Sequence, residues 1–129
     1  MRVLPDTRIP KNWSSFLRNE TNKTELFAFL AAQVTNLDYS PKEVVSTYGQ
    51  EVKASSAQDL CSISPCFQEE ADTRMLLHAA DFCKDGHKRV IIRTVDTDVV
   101  VVAVSLFHKI GAEKLWFEFS TGKHTRYIP

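Results

Sequence analysis

The chain has 129 residues, 43% of them hydrophobic and 25% charged, which fits one globular domain able to bury most of a core and argues against two. Sixteen Lys and Arg balance sixteen Asp and Glu, so no global basic field advertises a nucleic-acid partner. No apolar run is long enough to span a bilayer, and residues 1–10 lack the apolar stretch of a signal peptide. The expectation is therefore no membrane partner and a nuclear or cytoplasmic location.

Three cysteines, Cys61, Cys66 and Cys83, cannot all pair within one chain, and without a secretory signal they read as reduced thiols. The glycosylation patterns at Asn12, Asn19 and Asn22 are then chance matches, since a chain outside the secretory path is not glycosylated.

In chain order, Pro10 to Asn36 reads as two short helices. Trp13, Phe16 and Leu17 fall on one face, and Leu26, Phe27, Leu30, Ala31 and Val34 on another at helical spacing. Asn22, followed by Glu25, is the expected cap of the second helix. Val44 to Tyr48 has the β-branched and aromatic character of a strand ended by Gly49. Ala54 to Pro65, rich in Ser, is a loop.

Glu69 to Cys83 carries a helical stripe of Met75, Ala79 and Phe82, widened by Leu76, Leu77, Ala80 and Cys83. Asp85-Gly86 ends it. Arg89 to Val95 is a short β-branched run, as expected of a parallel strand buried on both faces. Val99 to Ile110 reads as one helix ending at Gly111, capped by Asp96 or Asp98. Leu115 to Phe119 alternates as a strand, and His124 to Ile128 returns after a Thr121-Gly122 turn.

Helix, strand, acidic turn, helix, strand is a βα pattern, and right-handed crossovers make a three-layer arrangement around a mainly parallel sheet the economical one. The expected fold class is α/β, Rossmann-like. Its parts would be a helical opening with one strand (1–53), a loop (54–65) and a core (66–129). In such sheets ligands sit beyond the carboxyl ends of the strands, where Asp96 and Asp98 fall.

Hard cations such as Mg²⁺ take oxygen ligands, so their sites need converging carboxylates. Glu69, Glu70 and Asp72 open one helix, and Asp96 and Asp98 close a strand. The first group is also explained by charge complementarity at a helix N-terminus. The second is harder to explain that way. Its apolar flanks suggest a buried neighbourhood, in which one aspartate caps the helix and the other needs a partner such as a metal.

The runs Glu69-Glu70-Ala71-Asp72 and Thr94-Val95-Asp96-Thr97-Asp98 resemble the two internal acidic motifs of flap-endonuclease and related PIN-like nucleases. The chain more closely resembles transposon-associated or domesticated proteins of cnidarian and fish genomes. It shares their Arg-Ile-Pro-x-Asn-Trp opening (Arg8 to Trp13), Asn22 to Phe27, Glu69 to Arg74, Asp96 to Val101, and Leu115 to Lys123. The resemblance implies a PIN-like domain in which Glu70, Asp72, Asp96 and Asp98, with Glu69 a weaker candidate, hold two Mg²⁺ or Mn²⁺ ions. Those ions would serve phosphodiester hydrolysis of DNA or RNA. Two family elements have no match: an aspartate ending the first strand, where Gly49 follows Tyr48, and a later Gly-x-Asp. The expectation is an incomplete or degenerate nuclease.

Other readings stay open. A non-catalytic nucleic-acid or protein interaction module would retain the same fold. Val90 to Asp98 also fits the hydrophobic strand and Asp-x-Asp of an HAD-type phosphatase, in which the first aspartate is phosphorylated, but only 31 residues follow Asp98. Cys61, Cys66, His78 and Cys83 lack a zinc-knuckle spacing, so Cys83 reads as core and the other two as loop thiols. Arg74, Lys88, Arg89 and Arg93 lie near the acidic runs in sequence and are candidates to contact substrate phosphates, or equally solubility charges. Trp13 and Trp116 read as core residues, with base stacking the alternative.

Overall fold

The computed structural model describes residues 2–56, 59–67, 70–121 and 124–129, the side chain of Thr121 aside. The chain divides into two compact units, residues 1–67 and 68–129.

The first unit begins with α1 (Trp13–Arg18), whose free N-terminal amides are met by Asn12: its side chain accepts from the Ser15 N–H at 2.9 Å. Asn19 ends this helix through its own N–H and caps α2 (Glu20–Thr35), accepting from the Asn22 N–H at 3.1 Å. The cap is thus Asn19 rather than the expected Asn22. Asn22 sits one turn further in, where its amide donates to the Phe16 carbonyl at 3.3 Å and ties the two helices together. The extended backbone at Asn19 sets this register. It places that side chain over the first open amides.

Strands β1 (Val45–Tyr48) and β2 (Glu51–Ala54) form an antiparallel hairpin. Its turn needs Gly49, at φ +54°, because the tight hairpin turn places a left-handed residue first. β2 was not foreseen: its sequence is polar apart from Val52 and Ala54, and only Val52 is buried. Cys66 donates its N–H to the Gln50 carbonyl at 2.9 Å, fastening the following loop to the hairpin turn. Among the described residues of this unit, the buried apolar ones are Ala31, Val52, Ile63 and Cys66. Cys66, expected as a loop thiol, is therefore buried.

The second unit runs α3 (Ala71–Lys84), β3 (Arg89–Thr94), α4 (Thr97–Ser105), α5 (Phe107–Ile110), β4 (Lys114–Thr121) and β5 (His124–Ile128). β3 and β4 pair in parallel across the α4–α5 crossover, and β5 returns antiparallel to β4. The α/β class therefore holds, with a small mixed sheet in the order β3-β4-β5. The expected turn at Thr121-Gly122 lies outside the described residues.

Two expectations change here. The single helix Val99 to Ile110 is two helices that meet at Leu106, whose N–H bonds the Val102 and Val104 carbonyls. β3 is not buried on both faces. Val90, Ile92 and Thr94 point inward while Arg89, Ile91 and Arg93 point outward, Ile91 being 63% exposed. The reason lies in the packing within the unit. Leu76 and Ala79 of α3, Val99 and Ala103 of α4 and Ile110 of α5 all cover the face bearing Val90, Ile92, Leu115 and Phe117. Alternation along the pleat leaves Ile91 on the other side.

Candidate functional site

Asp96 follows β3 directly and caps α4: its carboxylate accepts the Asp98 N–H at 2.9 Å, and its own N–H is taken by the Thr94 hydroxyl at 3.0 Å. Asp98 lies in the first turn of α4, where the helix macrodipole favours a negative charge. Glu70 occupies the N-cap position of α3 without a side-chain cap bond, and Asp72 lies in that helix's first turn.

Asp96 and Asp98 thus stand at the carboxyl end of β3, while Glu70 and Asp72 open the helix that precedes that strand. Four residues, Asp85 to Lys88, turn the chain from α3 into β3. Gly111, just before β4, lies so close to Cys83 that a Cβ there would sit 3.9 Å from the Cys83 Cβ. The carboxyl end of α3 therefore lies by the amino end of β4. The amino end of α3, with Glu70 and Asp72, lies about 20 Å away along the helix.

The burial argument for a metal does not survive. Glu70, Asp96 and Asp98 are exposed and Asp72 is half-buried. Asp98 is solvent-exposed in the first turn of α4, where the macrodipole favours its charge, so its carboxylate needs no further partner. Among the described residues no group of three or more His, Cys, Asp or Glu side chains converges as a metal site. Glu69 lies outside the described residues. By chemistry the set remains one of hard oxygen donors, the kind that Mg²⁺ and Mn²⁺ prefer.

The basic candidates are spread out. Arg74 is half-buried in the first turns of α3. Arg93 points outward and pairs with Glu118 at 3.6 Å. Lys88 precedes β3, at the opposite end of the sheet from Asp96, and its ammonium meets Glu113 at 2.6 Å. That carboxylate holds the lysine above its ordinary range. Arg89 is exposed on the outward face.

His78 is half-buried on α3, and burial lowers its pKa, with Arg74 adding to the effect and Asp81 opposing it. Burial likewise raises the Cys83 thiol, which packs against the core as expected. Neither tryptophan is a core residue. Trp116 is 38% exposed on the outward sheet face, and Trp13, 46% exposed, stacks on Phe16 at 5.4 Å between ring centroids. The unforeseen feature is that outward face itself, with Ile91, Trp116 and Tyr127. Its signal was Ile91, an isoleucine of opposite parity to Val90 and Ile92 in a strand taken as doubly buried. The chain matches no protein-family model, no curated protein and no solved structure.

Proposed function

We propose that this chain is a divalent-metal-binding domain of PIN-like, three-layer type, directed at the phosphodiesters of nucleic acid. The observation that supports this reading is the position of Asp96 and Asp98 directly after β3, at its carboxyl end, with Glu70 and Asp72 opening the helix that precedes that strand. Ligands of open α/β sheets bind at that position. Asp96 and Asp98, with Glu70 and Asp72, would hold Mg²⁺ or Mn²⁺, which supplies an activated water and charge stabilisation for the leaving oxygen. Asp96 orients its own carboxylate through the Asp98 N–H, and the Thr94 hydroxyl fixes the turn. Arg74, two residues along α3 from Asp72, would meet a substrate phosphate.

The test is calorimetric titration with Mn²⁺. Saturable binding is expected, weakened by Asp98→Asn and by Asp96→Asn, a change that keeps the helix cap because asparagine caps as well as aspartate. No saturable binding, or binding indifferent to both substitutions, sinks the assignment. A second reading, a non-catalytic interaction module, is favoured by the exposure of the four carboxylates and by the open outward face of the sheet.

A further inference from the structure

Within the second unit α3, α4 and α5 all pack on one face of the sheet, and the other face carries an ordered pattern of its own. Alternation along the strands puts Arg89, Ile91 and Arg93 of β3, Lys114, Trp116 and Glu118 of β4, and Tyr127 of β5 on that outward side. The register sets them in rows. Arg89 stands opposite Lys114, Ile91 opposite Trp116, and Arg93 opposite Glu118, which also stands opposite Tyr127.

The charges in these rows do not balance. Arg93 is paired with Glu118 at 3.6 Å, and Glu113 already meets Lys88 at 2.6 Å. Arg89 and Lys114 remain, two exposed cations directly across neighbouring strands with no ion pair among the described residues. Like charges so placed repel each other, and an anion set between them removes the repulsion. Aromatic surface lies beside them. Trp116 is 38% and Tyr127 63% exposed, and the two are diagonal neighbours across β4 and β5. Such positions are about 7–8 Å apart, about twice the roughly 3.4 Å step between stacked bases, so the two rings suit bases splayed apart. Lys114 and Trp116 also wall a groove of about 510 Å³, with Phe107, His108 and Pro129 around it, which leaves room for a base beside the indole.

We infer that this face binds single-stranded nucleic acid, a phosphate lying between Arg89 and Lys114 and bases stacking on Trp116 and Tyr127. Cations along the backbone and aromatic rings under the bases are the two components of sequence-tolerant single-strand sites. A duplex hides its base faces and meets only the cations. Arg89 and Lys114 begin their strands, whereas Asp96 and Asp98 follow the end of β3. The surface is therefore separate from the proposed metal site and needs no metal.

Fluorescence anisotropy with labelled oligothymidine and oligouridine, on the full chain at low salt in EDTA, tests this. Saturable binding to either strand is expected, the tighter one identifying the sugar, with a duplex of equal length bound more weakly. Trp116→Ala should weaken binding by about ten- to a hundredfold, and Trp116→Phe should recover most of the loss. Tyr127→Ala, at a more exposed site, should weaken it in the same direction and carries the test if circular dichroism shows Trp116→Ala unfolded. Arg89→Gln and Lys114→Gln should each reduce the slope of log affinity against log salt by about 0.7. No saturable binding overturns the inference. So does binding indifferent to the aromatic substitutions, or a duplex bound as tightly as the single strand. Binding to phosphatidylserine vesicles but not to the oligonucleotides also overturns it, because the cations would then serve a membrane surface. None of these outcomes touches the Mn²⁺ titration, which reads Asp96 and Asp98.

Discussion

The two units are built from similar numbers of residues but bury them differently. Among the described residues of 1–67 the buried apolar set is Ala31, Val52, Ile63 and Cys66, two of them small side chains. In residues 68–129 it is a continuous cluster from Leu76 to Phe117, supplied by three helices and two strands. A parallel pair with its crossover helix encloses a core by construction, since the helix must return over the strands it joins. A helix resting on a two-stranded hairpin encloses much less, and an isolated hairpin is marginal in water. The first unit accordingly depends on few residues. The second distributes its stability.

Core truncation gives the largest expected effect and the sharpest test of that contrast. Phe117→Ala, at a side chain 2% exposed, should cost about 3–5 kcal/mol by urea denaturation. Leu76→Ala on the same cluster should cost somewhat less, about 2–4 kcal/mol. Ile63→Ala in the first unit, also at 2% exposure, should cost about 2–4 kcal/mol. With so small a core this should abolish protection of the β1–β2 amides in hydrogen exchange. If Ile63→Ala leaves those amides protected while Phe117→Ala exposes the whole second unit, the assumed fragility of the first unit is wrong.

The acidic turn is expected to give a smaller effect. Asp96→Ala removes the α4 cap and should cost about 1 kcal/mol, whereas Asp96→Asn should be nearly neutral. A loss as large for asparagine as for alanine would show that the charge, not the cap, carries the stability. Such a result would contradict the hydrogen bond seen from Asp98.

The pH response should be smaller still. His78 is held below its ordinary value of 6.5, chiefly by burial, so the unfolded chain binds a proton that the folded one resists. Stability is then complete above 6.5 and falls as pH drops through that value towards the lower folded pKa. His78→Gln should flatten this part of the profile in denaturation midpoints measured from pH 7.5 to 5. An unchanged slope would remove His78 as its cause. At the bottom of the range, Lys88→Ala should leave stability nearly untouched, since its bond to Glu113 is solvent-exposed.

Much of the chain's local order was legible beforehand. Both opening helices, β1, α3, β3 and the helix after Asp98 follow from apolar spacing and breakers, because these signals act within a few residues. β2 was not legible: it has one buried side chain, and its pairing with β1 is made across the Gly49 turn. The shift of the α2 cap to Asn19 has the same character, since two asparagines with equal capping chemistry lie a turn apart and α1 decides between them.

The acidic site divides along the same line. Sequence alone determined that carboxylates open two helices and that one pair follows a strand, for these are facts of order and spacing. Tertiary structure decided that Asp96 caps α4 and that Asp98 stands in solvent. It also decided that Ile91 and Trp116 face outward. Burial is a property of what packs across a surface, and in this unit three helices lie on one face of the sheet. Hydrophobicity along a strand records which residues suit a covered surface, but not which of the two faces the unit's own helices cover.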